Sequence, residues 1–147
     1  MLSLEKPPSF QPKFSVVGCF VTCGDEILLL LRQDHKPQGG TWGLPGGKIE
    51  SNEDPDQAVI RELFEETGIR ATQPLQPVKA AYIHHDDYDF VYQMYSLMLK
   101  EKPTVKIDES SHKEYVWIKL SEVSTLPGIP ELDTCIKVFL EERGISK

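Results

Sequence analysis

Glu62, Glu65 and Glu66 follow Arg61 closely, and Glu53 and Gly47 stand a short way before them. At 100° per residue the three later carboxylates fall within an arc of about 100° on a helix. Val59, Ile60, Leu63 and Phe64 occupy the neighbouring arc, which is expected to face the core. As a stabilising pattern the cluster is poor, because like charges three or four residues apart each cost roughly 0.2–0.5 kcal/mol. Glu65 and Glu66 also stand in the last turn, where the helix dipole favours cations over anions. A divalent cation removes both conflicts. Hard oxygen donors suit Mg²⁺, with Mn²⁺ as a substitute, and Mg²⁺ is commonly held by a few carboxylates together with substrate phosphates. The plainer reading is a solvated acidic face with Arg61 as its counterion.

The elements that must carry these residues can be read from patterning. Residues 55–67 form the best-marked helix: Asp54 suits the N-cap, Pro55 the first helical position, Gln57 completes a capping box, and Gly68 ends the helix. Residues 14–21 and 26–31 are apolar, β-branched runs on either side of a turn at 22–25, and the unbroken run 28–31 predicts a strand buried on both faces. The Gly- and Pro-rich stretch 33–47 reads as a loop with a brief strand at 42–44. Residues 78–83 and 90–99 read as strands around a polar turn at 84–89, residues 115–118 as a further strand, and 130–143 as a closing helix. Residues 1–13, with three prolines, are expected to form an extended arm, and 14–147 a single domain. This order implies a mixed sheet with helices packed on it.

The stretch from Gly47 to Ile69 resembles the signature of the Nudix hydrolase family, Gly-x5-Glu-x7-Arg-Glu-U-x-Glu-Glu-x-Gly-U with U apolar, and it matches at every specified position. A chance match has a probability on the order of 10⁻⁸ at average amino-acid usage. Leu44-Pro45-Gly46-Gly47 and the order of elements extend the likeness over residues 14–142. The resemblance implies an α/β/α sandwich with a central mixed sheet, and hydrolysis of a nucleoside diphosphate linked to another moiety, with water attacking phosphorus. It further implies that Glu62, Glu65 and Glu66 share ligand and general-base roles with Mg²⁺ as cofactor, that the Gly47 carbonyl is a further ligand, and that Arg61 orients Glu53. Lys48 is expected at a phosphate or bracing the loop, and Glu109, ahead of Asp108 and Glu114, as an acid recruited from outside the signature. Which glutamate acts as base stays open, as does the substrate.

Two other functions compete: a non-catalytic nucleotide-sensing module of the same fold, which loss of signature carboxylates would mark, and a GDP-mannose mannosyl-hydrolase-like enzyme attacking carbon. Neither loss nor alteration occurs here. Sixteen basic against 23 acidic residues give a net charge of -7, which disfavours bulk nucleic acid and anionic membrane but not one nucleotide bound through a metal. Three sparse cysteines, no long apolar stretch and no leader-like N-terminus predict a cytoplasmic protein, and the family resemblance allows a homodimer. Trp42, Tyr82, Tyr88 and Tyr92 are candidates for stacking a base, with Trp42 taken as a substrate contact, although packing is the commoner role of such residues. The sequence His84-His85-Asp86-Asp87 is read as turn and Cys19 and Cys23 as core.

Overall fold

Asp54 starts the signature helix by the mechanism its spacing predicts. Its carboxylate accepts from the Gln57 amide at 2.9 Å and the Gln57 side chain accepts from the Asp54 amide at 3.0 Å, so two helix-end donors are satisfied reciprocally. The helix, α1, runs Pro55–Thr67 and stops at Gly68, whose φ of 76° admits glycine at low cost. Asp54→Ala removes the bond that the carboxylate accepts and leaves the backbone amide that donates to Gln57, and is expected to lower stability by about 1 kcal/mol. Thermal melting should read this as a fall of roughly 2–4 °C.

The structure, a computed structural model, describes residues 1–85 and 87–143, with only the backbone of His85. Its strands are β1 (Leu2–Ser3), β2 (Pro12–Cys23), β3 (Glu26–Arg32), β4 (Trp42–Gly43), β5 (Gly46–Lys48), β6 (Gln76–His85), β7 (Tyr88–Leu99) and β8 (His112–Lys119). A 3-10 turn at Leu120–Thr125 leads towards the second helix, α2 (Leu132–Glu142). The sheet order is β1-β6-β7-β2-β3-β4, with β5 joined to β2 and β8 to β3. β2 and β7 pair in parallel along their length while the other strand pairs are antiparallel, so the sheet is mixed.

Alternation along β2 and β3 divides the core between two faces. Val17, Cys19, Val21, Leu28 and Leu30 pack with Ala58, Val59 and Leu63 of α1. Phe20, Ile27 and Leu29 pack with Ile136, Phe139 and Leu140 of α2, where the Phe20 and Phe139 rings stack 4.4 Å apart. One helix on each face gives the expected α/β/α sandwich, and the 28–30 run is buried on both sides. Among the described residues, no helix is long and apolar enough to cross a membrane.

Four details differ from the sequence reading. The core face of α1 is Ala58, Val59, Leu63 and Thr67, while Ile60 and Phe64 stay 43% and 40% exposed. The helix seats on the sheet through its Val59–Leu63 row, which turns Ile60 and Phe64 outward, and the Arg70 guanidinium covers the Phe64 ring at 4.2 Å. α2 begins at Leu132 because Glu131 adopts a left-handed conformation at φ 69°. The 84–89 turn shrinks because His84 and Asp89 are register partners joined at 2.6 Å, extending β6 and β7. Asp86 and residues 144–147, part of the expected turn and domain, lie outside the described residues. The fourth difference is the arm: Leu2–Ser3 pairs with β6, and Phe10 is buried edge-on against Tyr82 at 5.3 Å.

Candidate active site

Arg61 points from α1 into a ring of carboxylates. Its Nε and Nη2 donate to the two oxygens of Glu53 at 2.7 and 2.9 Å, a bidentate pair. Nη1 reaches Glu62 at 3.1 Å and Glu65 at 3.2 Å, and Nη2 also donates to the Lys48 carbonyl at 3.2 Å. One guanidinium therefore ties the loop after β5 to the helix and neutralises its acidic face. The contact holds the Glu53 carboxyl down at about 2, with the Glu50 backbone contact assisting. Glu65 stays largely outside, its side chain 53% exposed.

Glu66 lies deepest. It accepts the Gly46 amide hydrogen at 2.9 Å, and burial pushes its carboxyl up to about 8 against that bond; the charges of Glu62 and Asp108 add to the rise and Arg32 opposes it. Burial also raises Glu62, with Arg61 opposing. The Glu62 carboxylate rests directly on the Cα of Gly47, where a Cβ would overlap it. Glycine at the first signature position thus makes room for a carboxylate from the helix.

Among the described residues, no three such side chains are arranged to hold a metal ion as they stand. Arg61 accounts for this, since its donors draw Glu53, Glu62 and Glu65 towards itself. The donor set nevertheless fits a hard cation: oxygens only, on one helix side against a glycine backbone, with a buried carboxyl that a neighbouring positive charge would help ionise. A carboxyl titrating near neutrality also suits proton transfer.

A cleft of about 240 Å³ opens above Gly46, Gly47 and Glu66. Phe14, Tyr88, Phe90 and Tyr92 line one part, and Arg32, Gln38 and His112 another. Of the expected aromatic contacts, Tyr88 and Tyr92 line it. Trp42 does not, because its backbone is bonded to Pro127 and Ile129 and its ring packs against the α2 side of the core. Tyr82 packs on Phe10. Lys48 sits at the rim, its ammonium 4.4 Å above the Phe14 ring, not among the lining residues. Glu109 lies in a separate groove with Phe64, Glu65 and Asp108, and its carbonyl accepts from Gln33; of these two loop acids, Asp108 is the one whose charge reaches Glu66. Glu114 is exposed on β8. Cys19 is buried in the core, which pushes its thiol up.

Arg32 and His112 escaped the sequence reading. Arg32 ends an apolar strand, and a charge at such a boundary was the available signal; nothing local distinguishes His112. Burial, helped by the charge of Arg32, lowers the His112 imidazole to about 4, so it is neutral at pH 7.

Residues 12–139 match the family model described as NUDIX domain. An uncharacterized Nudix hydrolase of Bacillus subtilis, YvcI, is 32% identical over 132 residues, covering 88% of this chain and 81% of the relative. A putative 8-oxo-dGTP diphosphatase 3 of Mycobacterium tuberculosis is 37% identical over 108 residues, 71% of this chain, which spans about half (49%) of that protein. Among solved structures, a bifunctional NMN adenylyltransferase/ADP ribose pyrophosphatase from Francisella tularensis, complexed with AMP and a Mn ion, superposes with a TM-score of 0.73 at 27% identity. The match covers 91% of this chain and 43% of that one.

Proposed function

The chain belongs to the NUDIX domain family, and from that premise we propose that it is a metal-dependent pyrophosphohydrolase, cleaving a phosphoric anhydride bond of a nucleotide-derived substrate by attack of water on phosphorus. The observation that carries this reading is geometric: the complete signature helix sets Glu66 against the Gly46 amide and Glu62 against Gly47, at the floor of an aromatic cleft. The diphosphatase relative and the neighbour that holds AMP with Mn support it.

Glu62, Glu65 and Glu66, with the Gly47 carbonyl, would hold Mg²⁺, or Mn²⁺ in its place. Bound there, the cation supplies Lewis acidity, drawing charge from phosphate oxygens and lowering the pKa of water. Glu62 and Glu66 divide the ligand and proton-acceptor roles. Arg61 acts through Glu53 and the Lys48 carbonyl, fixing the loop whose glycines touch Glu62 and Glu66. The aromatic part of the cleft takes the planar base, with Phe14 and Phe90 already stacked 5.3 Å apart as a wall.

With about millimolar Mg²⁺ the protein is expected to hydrolyse at least one member of a panel of nucleoside triphosphates, oxidised nucleotides, dinucleotide polyphosphates and nucleotide sugars, and to stop on addition of EDTA. Reaction in ¹⁸O water should label a phosphate product. Label in a sugar would indicate attack on carbon, binding without turnover would indicate a sensor, and activity indifferent to chelation would overturn the metal.

A further inference from the structure

The strands that frame the cleft sort its lining by charge. β5 and β3 pair with the edge of β2 opposite β7, and Glu66 is held at β5 through the Gly46 amide. On the β2, β7 and β6 side stand Phe14, Phe90, Tyr88 and Ile83. Arg32 and His112 stand on the other side, as register partners on β3 and β8. A ligand laid across Glu66 therefore meets rings at one end and hydrogen-bond donors at the other.

Those two side chains are built into place but not used up. The Arg32 Nε donates to the Pro37 carbonyl at 2.9 Å, while no described residue accepts from its Nη groups. His112 is 3% exposed, and its Nδ1 lies 3.0 Å from the Ser111 hydroxyl. Its Nε2 has no hydrogen-bond partner among the described residues. An irregularity in the β3–β8 ladder falls between Leu31 and Arg32, where a register shift can re-aim side chains, and the Gln33 amide braces the His112 carbonyl at 3.2 Å. A guanidinium fork open to a cleft in a chain of net charge -7 fits an oxyanion.

We propose that Arg32 and His112 form an anion subsite for the departing phosphate group, on the far side of Glu66 from the base. The proposal rests on the pyrophosphohydrolase reading and narrows it. For a nucleoside triphosphate, water bonds to the α-phosphorus and the bond from that phosphorus to the bridging oxygen breaks. Pyrophosphate leaves with the electron pair towards Arg32, and the water's proton passes to a signature carboxylate.

Titration calorimetry with pyrophosphate in Mg²⁺, and with a nucleoside lacking phosphate, separates the outcomes for wild type, Arg32→Ala, Arg32→Lys and His112→Ala. The alanine variants should lose about tenfold or more in pyrophosphate affinity, Arg32→Lys should lose less, and nucleoside affinity should stay unchanged. Arg32→Lys guards against a fold lost in the alanine variant. Equal losses for nucleoside would assign the pair to the base, and unchanged pyrophosphate affinity would make it structural; either overturns the subsite. Wild type inert on every substrate would instead overturn the hydrolase reading beneath it, whereas active variants with an unaltered pyrophosphate inhibition constant would overturn the subsite alone.

Discussion

Glu66→Gln is expected to lose about a hundredfold or more in kcat and yet, in EDTA, to melt at a higher temperature than the wild type. The amide keeps an oxygen for the Gly46 hydrogen bond at 2.9 Å and removes the charge that burial disfavours. Because the folded carboxyl titrates at about 8 and an ordinary glutamate at 4.5, the folded state holds a proton over the interval in which the unfolded state has released it. Stability therefore falls as pH rises through that window. The cost is absent below about 4.5 and complete above about 8, so the advantage of the variant should be small at pH 5 and larger at pH 8. The gain comes from burial more than from the crowding of like charges that the sequence implies, since Arg61 already neutralises Glu62 and Glu65. Mg²⁺ should raise the melting temperature of wild type distinctly more than that of the variant, since only binding to the folded state adds RT ln(1 + [L]/Kd). Paired melts across pH, in EDTA and in Mg²⁺, decide it. A variant less stable than wild type at pH 8 in EDTA, or one with the full Mg²⁺ shift, would place the charge of Glu66 in the framework of the fold.

Arg61→Lys should be almost as damaging to turnover, by about tenfold to a hundredfold, although it conserves charge. A point ammonium cannot reproduce the fork that meets both Glu53 oxygens at 2.7 and 2.9 Å while also reaching Glu62, Glu65 and the Lys48 carbonyl. The loop and the carboxylates then lose their common anchor. Glu53 supplies a second readout. Its folded carboxyl, at about 2, lies below the ordinary glutamate value of 4.5, so the pair's contribution is present above 4.5 and lost as pH falls towards 2. Wild type should show this acid loss and the variant should show less of it. Steady-state kinetics at pH 7 and melts between pH 2 and 6 test both. Wild-type turnover in Arg61→Lys would reduce Arg61 to a surface counterion.

Local signals were the legible part of the fold. The ends of α1 are written in Asp54, Pro55, Gln57 and Gly68, because capping depends on neighbours a few residues away. The buried run of β3 was equally plain. What stayed hidden depends on partners distant in sequence. Periodicity places Ile60 and Phe64 beside Val59 and Leu63, but the sheet decides which row is covered. β1 and β5 are too short to show a pattern, and each exists because β6 or β2 offers an edge. The signature marked the carboxylates without revealing that Arg61 gathers Glu53, Glu62 and Glu65 while Glu66 turns inward. Arg32 and His112 meet only through the β3–β8 pairing, which no spacing near either residue records.

The parallel ladder between β2 and β7 also sets an order of events in folding. From Pro12 opposite Asp89 to Cys23 opposite Leu99, every rung joins segments separated by the whole signature helix and its loops. During synthesis β2 can form its hairpin with β3, but its other edge stays open until Tyr88–Leu99 has left the ribosome. Loop closure on that scale must precede the contacts that reward it, which places the chain among slower, nonlocal folders. Until β7 arrives, Phe14 and Val16 on β2 lack the strand that completes the cleft wall, and the nascent chain presents an apolar edge. The wall against which a base would stack is therefore completed late, by the strand that also closes the sheet.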